Sequence, residues 1–301
     1  MNKLKNFAIK KMVISTICLL LFALFYFYPT HNEINTEVIV NESKTENVIY
    51  MLDNDNYVSR VTLFFDSDSL KEEIKKKIEI LTIGCSELDG FYPLIPKNTK
   101  LNNIKIDKNK VYLDFSRELL KVNKYMEESM IEAILYTITE INGIDTVYIN
   151  VEGEELRNLP NSHKDIPYPL KRNYGINKEY NLNSLNNISK TTVFFSKTKD
   201  DYNYYVPITE INNKEENKID IIIEELKSTV NAQNNLNSYF DNNTKLIDYK
   251  IDGKKINLEF NDYIFNNEKY IDEEKFVLVN SIFENYSINE ININNKYNFK
   301  R

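Results

Sequence analysis

The chain offers few residues of the types that act as nucleophiles or metal ligands. Among its 301 residues are two cysteines and two histidines. Cys85 is a candidate nucleophile, but a thiol is activated by a base within hydrogen-bonding reach. His31 follows an apolar N-terminal stretch and His163 lies in a proline-containing segment, so neither has a fixed relation to Cys85. We therefore expect a plain, partly buried thiol and a solvated His163, and we predict no catalytic, cofactor-binding or metal-binding residue.

Acidic residues form two further patterns with possible chemistry. Residues 53–56 (DNDN) look like the start of a calcium loop, but Tyr57 occupies the third ligand position and no glycine or distal glutamate completes the motif. The run therefore predicts a hairpin turn. The Glu-Glu pairs at 127–128 and 224–225 point in different directions on a helix, so they do not form an acid–base dyad.

A group of aromatic residues opens the second half of the chain. It comprises Phe194, Phe195, Tyr202, Tyr204 and Tyr205. Exposed aromatic rings are common in protein interfaces, so the group is a candidate docking surface. Strand alternation also directs every second residue into a core. The sequence leaves both interpretations open.

The charge distribution excludes a nucleic-acid footprint. Forty-five acidic and 38 basic residues give a net charge of -7, and four lysines with no acid lie in the first eleven residues. The remainder therefore carries -11, whereas nucleic-acid binding requires positive charge on the folded part. A content of 42% apolar residues is sufficient to bury the cores of two ordinary domains.

Residues 12–28 (MVISTICLLLFALFYFY) form an uncharged apolar run that predicts a transmembrane anchor. Lysines lie only on its N-terminal side, and residues 26–28 are aromatic at the other border, where rings favour the membrane interface. The positive-inside rule then predicts a cytoplasmic N-terminus and an extracytoplasmic body. A cleaved signal peptide is the alternative, although no small-x-small cleavage site follows the run.

An internal repeat organises the rest of the chain. At a shift of 145 residues, 99–116 (TKLNNIKIDKNKVYLDFS) aligns without gaps with 244–261 (TKLIDYKIDGKKINLEFN). Both contain two alternating apolar runs around a polar turn, which predicts a hairpin with one buried face. Phe115 and Phe260 are the predicted core anchors. Apolar residues at helical spacing precede and follow each hairpin.

Each repeat thus predicts a strand or split hairpin, a helix, two further strands, a second helix and a last strand. Ser69 followed by Glu72 predicts a capping box where the first helix begins. This order predicts an α+β fold of two tandem split-βαβ modules, each with a sheet covered on one face by two helices. Both modules follow the single N-terminal transmembrane helix.

The predicted divisions follow the apolar run and the repeat. In chain order they are a cytoplasmic tail (1–11), a transmembrane anchor (12–28), a stalk (29–46), a first module (47–159), a linker (160–189) and a second module (190–297). The linker contains three prolines, Gly175 and few apolar residues. It is therefore expected to drape over one module.

Four stretches of the sequence resemble a known family. They are IYMLDNDNYVSR and VFFSKTKDDYNYYVPIT, which open the two repeats, and LIPKNTKLNNIKIDKNKVYLDFS and TITEINGIDTVYINVEG, which form the middle and end of the first. In this order the chain resembles the GerM family of sporulation and spore germination proteins. Its modules are similar to the ring-building modules of secretion-type assemblies. Gly84 is followed by Cys85, where family members commonly have Gly-Pro.

The resemblance implies a non-enzymatic function. Proteins of this family act in endospore formation, in the space between the mother-cell and forespore membranes, where they assist the assembly of a channel complex. The implied partners are proteins of that complex, with oligomerisation possible, and the implied location is the membrane with most of the chain outside the cytoplasm. The alternative is a germination-associated protein that binds a small molecule or peptidoglycan in the cleft between the modules.

Overall fold

Each repeat opens with a β-hairpin, as its alternating residues predict. In the first repeat β1 (Glu46–Leu52) pairs antiparallel with β2 (Val58–Phe64), and in the second β8 (Ser189–Lys199) pairs with β9 (Tyr202–Asn212). Residues 53–56 form the predicted turn. These elements belong to a computed structural model, which describes residues 44–301 except residues 201 and 215 and the side chains of residues 229 and 230.

A helix, a second hairpin and a helix–strand unit follow in each repeat. The first repeat continues with α1 (Leu70–Ile83), β3 (Leu101–Asp107), β4 (Lys110–Phe115), α2 (Glu127–Thr139), β5 (Thr146–Val151) and the short β6 (Glu154–Glu155). The second continues with α3 (Lys218–Leu226), α4 (Thr229–Gln233), β10 (Leu246–Asp252), β11 (Lys255–Phe260), α5 (Ile271–Asn285), β12 (Glu290–Ile293) and β13 (Tyr297–Lys300). β4 is parallel to β5, and β11 to β12, because a helix crosses over between them. The predicted order of elements is confirmed, with β6, α4 and β13 as additions.

The strands form three sheets, so the prediction of one sheet per module is wrong. The hairpins of both repeats join into a central sheet in which β1, β2, β9 and β8 pair in that order, with Arg60 opposite Tyr205 where β2 meets β9. One outer sheet contains β3 to β6 and the other contains β10 to β13. In the first module, α1 and α2 pack against both β1 and the outer sheet, so the helices form a layer between two sheets.

The helices close the outer edges of the central sheet. The Tyr50 N–H on β1 donates to Thr137 Oγ1 of α2 at 2.9 Å, and the Phe194 N–H on β8 donates to Ser281 Oγ of α5 at 2.8 Å. These N–H groups point away from the hairpin partner, so a helix lies where a further strand would have to pair. The opening hairpins therefore pair with each other through β2 and β9 and not with the outer sheets.

Residues 160–189, predicted as a linker, pack onto the folded body. Leu170 exchanges two backbone hydrogen bonds with Val147 of β5, at 3.0 and 2.9 Å. Further along, β7 (Glu179–Asn181) pairs parallel with the end of β9. The linker therefore contacts elements of both modules.

One hydrophobic core runs through both modules. The predicted anchors Phe115 and Phe260 are buried, with exposures of 0% and 3%. Ser69 Oγ accepts the Glu72 N–H at 3.3 Å and so caps α1 as predicted. The reciprocal bond differs, because the Glu72 carboxylate accepts the N–H of Asp68. The buried face of each repeat is therefore the one that its alternating and helical patterns predict.

The predicted membrane anchor, residues 12–28, lies outside the described residues. Within the part of the chain that the structure describes, no helix combines the length and the apolar character needed to span a bilayer. The anchor and the membrane topology therefore stay predictions from the sequence.

Candidate functional site

Four charged side chains meet where the two modules touch. Arg60 lies on β2, Glu140 directly follows α2, Arg172 lies in the linker and Glu284 is in the last turn of α5. Arg60 donates to Glu140 through two nitrogens at 3.2 and 3.1 Å, and Arg172 Nη1 lies 2.7 Å from Glu284 Oε2. Arg172 Nη2 also contacts Glu140 Oε2. We call these four residues the charge cluster.

The repeat explains why two carboxylates meet one arginine. Glu140 and Glu284 occupy matching positions, as Thr137 and Ser281 do, because the repeats are shifted by 144 residues after the hairpin, one fewer than within it. Two helices that pack in the same way on two joined hairpins bring their C-terminal ends together. Arg172 is contributed once, by the linker, and therefore faces both carboxylates.

The charge cluster is largely buried, which strengthens its internal electrostatics. Side-chain exposure is 13% for Arg60, 22% for Glu140, 18% for Arg172 and 6% for Glu284. Burial alone raises the pKa of Glu140, but the charges of Arg172 and Arg60 outweigh it and lower that pKa to about 2. Burial lowers the pKa of Arg172, whereas Glu284 and Glu140 raise it well above its usual value. Glu140 and Arg172 are therefore ionised at neutral pH.

A second buried ion pair joins the modules elsewhere along the junction. Asp53, at the end of β1, is 2% exposed. Its carboxylate accepts hydrogen bonds from Lys197 Nζ and Tyr204 Oη, each at 3.2 Å, and from Ser59 Oγ at 3.1 Å. Lys197, on β8, also contacts Asp55. Asp53 therefore links the two hairpins in addition to shaping the predicted turn.

The linker fills the gap where β2 and β9 diverge. Asn177 Nδ2 donates to the carbonyl oxygens of Val58 and Pro207 at 2.9 and 2.8 Å, and its Oδ1 accepts the Val58 N–H at 2.8 Å. The next residue, Lys178, forms a buried ion pair with Glu132 of α2 at 2.5 Å. The Asn177 side chain thus supplies hydrogen bonds that a continuous β2–β9 ladder would provide.

A cleft of about 1050 Å³ opens beside the charge cluster and is lined by residues of both modules. Lys300 and Arg301 add positive charge to its walls, next to Arg60 and Arg172. The described residues contain no group of three or more histidine, cysteine, aspartate or glutamate side chains placed to hold a metal ion. Since the arginines and glutamates of the cluster pair with one another, their chemistry is that of an ionic brace between modules.

Known proteins with the same arrangement identify the family. The family model described as "Germane: Sporulation and spore germination" matches residues 48–157. The spore germination protein GerM of Bacillus subtilis (strain 168) is 30% identical over 241 residues, which cover 77% of this chain and 64% of that protein. The chain belongs to the GerM family. The solved tandem GerMN domains of the sporulation protein GerM from Bacillus subtilis match it with a TM-score of 0.73 at 27% identity, over 83% of this chain and 90% of that chain.

The GerM match confirms the resemblance that the sequence predicts. It extends over both repeats, because the solved relative contains two GerMN domains in tandem. The matched region spans 64% of the length of Bacillus subtilis GerM. The match therefore establishes the family and the fold of this GerM-family chain.

The chemically suggestive residues of this GerM-family chain have structural surroundings. Cys85 is a free, half-buried thiol that packs against the hydrophobic core, and His163 is exposed in the linker, as expected. Glu127 accepts the Ser162 N–H at 3.0 Å, whereas Glu128 pairs with Lys178 at 2.8 Å. The adjacent glutamates therefore point in different directions, as predicted.

The aromatic group at the start of the second GerMN module is not a docking surface. Phe194, Phe195 and Tyr204 are buried, with exposures of 3%, 2% and 6%. Tyr205 stacks on Phe276 of α5 with ring centres 3.5 Å apart. The docking interpretation is wrong because β8 is covered on both faces, so that consecutive aromatic residues pointing to opposite sides are both buried.

Sequence reasoning singled out none of the four residues of the charge cluster. Glu140 and Glu284 match only at a shift of 144 residues, so the gapless alignment of the hairpins at 145 does not reveal the pair. Arg172 gave no comparable signal, because it lies in the linker, where no repeat partner exists. Its role follows only from the way in which the linker crosses the junction.

Proposed function

We propose that this GerM-family protein is a non-enzymatic scaffold that acts by protein–protein contact in endospore formation, in or near the channel complex between mother cell and forespore. Residues 12–28 anchor it in the membrane, with a cytoplasmic N-terminus and an extracytoplasmic body. Family membership supports the sporulation role, and the one-sided lysines of the N-terminus support the orientation.

The observation that carries the scaffold proposal is the coupling of the two modules. They share a central sheet and one core. Buried ion pairs of Arg172 with Glu284 and of Lys197 with Asp53 lie along the junction. A further buried pair, between Lys178 and Glu132, joins the linker to the first module. Modules coupled in this way present their outer sheets at a fixed separation. Enzymes that close on a substrate need domains that move relative to each other, and this brace opposes such movement.

The test is affinity capture of the tagged full-length protein after cross-linking in membranes of sporulating cells, with vegetative cells as the control. We expect channel or engulfment components in the sporulating sample only. The Arg172→Ala variant, which breaks the brace, should recover less of them than Arg157→Ala, which removes an exposed arginine outside the junction. Recovery of wall fragments or germination receptors alone would contradict the scaffold role.

The cleft supports a second candidate, a germination-associated protein that binds a small molecule or peptidoglycan fragment. Its volume of about 1050 Å³ and its wall residues Lys300 and Arg301 suit a polar or anionic ligand. A ligand that binds the folded state raises the melting temperature with increasing concentration. Wall fragments that stabilise the wild type, but not Lys300→Ala/Arg301→Ala, would favour this candidate; no shift for either protein would remove it.

A further inference from the structure

Strand β10 forms an open edge of the second outer sheet. Among the described residues, it pairs with β11 on one side and with no strand on the other. Asp252 and Lys255 close the tight turn to β11, so the backbone groups of Tyr249 and Ile251 point away from β11. The Tyr249 N–H is bonded to the side chain of Asp248 at 2.9 Å instead of to another strand. A strand that pairs here takes over this N–H, and the Asp248 carboxylate is then released.

Apolar side chains are exposed along this edge. Ile247 is 61% exposed and Ile251 is 44% exposed, whereas Ile106, which matches Ile251 in the first module, is half-buried and packs against the hydrophobic core. Exposed apolar residues on an open strand favour pairing with a further strand.

We propose that β10 pairs antiparallel with β10 of a second copy of this chain, about a two-fold axis at Tyr249. In this register Asp248 faces Lys250 of the copy, and by symmetry Lys250 faces Asp248 of the copy. Two ion pairs therefore form at once on one face of the joined sheet.

Charge selects this register. Moving the axis to Lys250 places that lysine against itself and Asp248 against Asp252, and moving it to Asp248 places that aspartate against itself. Like charges directly opposite each other are destabilising. On β3, the matching edge of the first module, Asn103 and Lys105 occupy the two charged positions and form no ion pair. The edge of the first module at β3 therefore lacks the self-complementary charges of β10.

A single ladder of seven residues buries less than about 1,000 Å², so the dimer is weak and transient. It does not depend on the proposed sporulation role, since the edge is present whatever the protein assembles with. Sedimentation and cross-linking of the purified full chain in detergent test it directly. Loss of the dimer would leave the sporulation proposal intact.

The decisive experiment traps the register with cysteines in a Cys18→Ser/Cys85→Ser background. Asp248→Cys and Lys250→Cys chains carry tags of different size and are mixed under mild oxidation. Facing residues of this kind have Cα atoms about 4.5 Å apart, within disulfide range. In a dimer of one variant alone, the two cysteines are diagonal neighbours across the strands. Their Cα atoms are then roughly 7–8 Å apart, which is too far for a disulfide. We expect the mixed product to exceed both self-products several-fold.

Equal yields in the three samples, or no product, would overturn the proposal. Both positions are exposed, so these substitutions leave the core unchanged. The matched control is a mixture of Asn103→Cys and Lys105→Cys chains, which places the same cysteines on the edge of the first module. That mixture should give no more than background.

A charge reversal tests the same register without cross-linking. Asp248→Lys places two lysine pairs at the interface and should raise the dissociation constant about tenfold. Asp248→Lys/Lys250→Asp restores opposite charges and should return it to the wild-type value. If the double variant dimerises as weakly as the single one, or if the wild type sediments as a monomer at all concentrations, the β10 pairing is wrong.

Discussion

The two modules have the same residue at matching positions of the charge cluster, where they face each other. They have different residues at matching positions on the outer sheets, where they face away from each other. At the junction, Glu140 and Glu284 are identical and both contact Arg172. On the solvent face of the outer sheets, Tyr112 and Tyr148 stack with ring centres 4.3 Å apart in the first module. In the second module, Asn257 and Asn292 pair across the strands at the same two positions.

The contrast shows which residues the architecture constrains. A junction residue has its partner in the other module or in the linker, so replacing it leaves a buried charge or donor without a partner. A residue on the outer face has water as an alternative partner, so the two repeats are free to diverge there. The outer faces are accordingly where the modules differ most in what they present to other molecules.

Removing the arginine that the two modules share should have the largest effect. Arg172→Ala leaves Glu140 and Glu284 buried beside each other without that cation, and breaking a buried pair costs about 3–5 kcal/mol. The free energy of unfolding from urea denaturation measures the loss. Arg157→Ala removes an arginine whose side chain is 60% exposed and paired with Glu155, and should cost at most about 1 kcal/mol. Equal losses would mean that the brace contributes nothing.

Glu274 is a buried residue at which the two modules differ. Its ionisation should make the free energy of unfolding depend on pH, by about 3 kcal/mol in total. Met130 holds the matching position, whereas Glu274 is 1% exposed and its burial raises its pKa to about 7, from 4.5. Asp241 also raises this pKa, and the hydrogen bond from the Phe265 N–H and the charge of Lys275 lower it. The folded state therefore holds the proton more tightly than the unfolded state. Its contribution to stability is complete below about pH 4.5 and is lost as pH rises through 7.

The Glu274→Gln variant isolates this effect, because glutamine still accepts the Phe265 N–H but does not ionise. Urea unfolding at pH 5, 6, 7 and 8 should show falling stability for the wild type and a flatter profile for the variant. Glu268→Gln, at an exposed position before α5, should keep the wild-type profile. A wild-type profile that rises over this range would contradict the raised pKa.

Sequence patterns were sufficient to predict the strands and helices, but not how the strands of the two modules join into sheets. Alternation and helical spacing predict the hairpins, the helices and the burial of Phe115 and Phe260, because these depend on which face of an element is apolar. The pairing of β2 with β9 depends on which strand edges the helices leave open. That choice is made by single contacts, such as Thr137 with the Tyr50 N–H, which no periodicity reveals.

The charge cluster was predictable only in part, for the same reason. A glutamate near the end of the second helix of both repeats becomes visible once the alignment is shifted by one residue, but its meaning depends on Arg172, which has no repeat counterpart. The family resemblance, in contrast, rests on the order of whole segments and is recognisable without knowledge of the sheet topology. Recognition of the family and derivation of the junction are thus separate problems in this chain.

The bridge between the hairpins gives a smaller expected effect. Asn177→Ala removes three hydrogen bonds to Val58 and Pro207 and leaves backbone groups at the β2–β9 gap without partners. Loss of partners for such groups costs about 1–3 kcal/mol. Thermal unfolding should show the loss, while Asn242→Ala, at an exposed turn position, should leave the melting temperature unchanged. An unchanged melting temperature for Asn177→Ala would mean that water replaces the bridge.

The smallest effect is expected where the modules differ most. Tyr148→Asn gives the first module the residue of the second and removes the stacking on Tyr112 and the edge contact with Tyr168. Aromatic pairs of this kind contribute about 1 kcal/mol beyond their burial, so the loss should be close to that value. The reciprocal variant Asn257→Tyr/Asn292→Tyr should stabilise the second module by a similar amount, since β11 and β12 hold these residues in the same register. If the first substitution costs as much as Arg172→Ala, the outer face is as constrained as the junction, and the contrast between facing and outward residues fails.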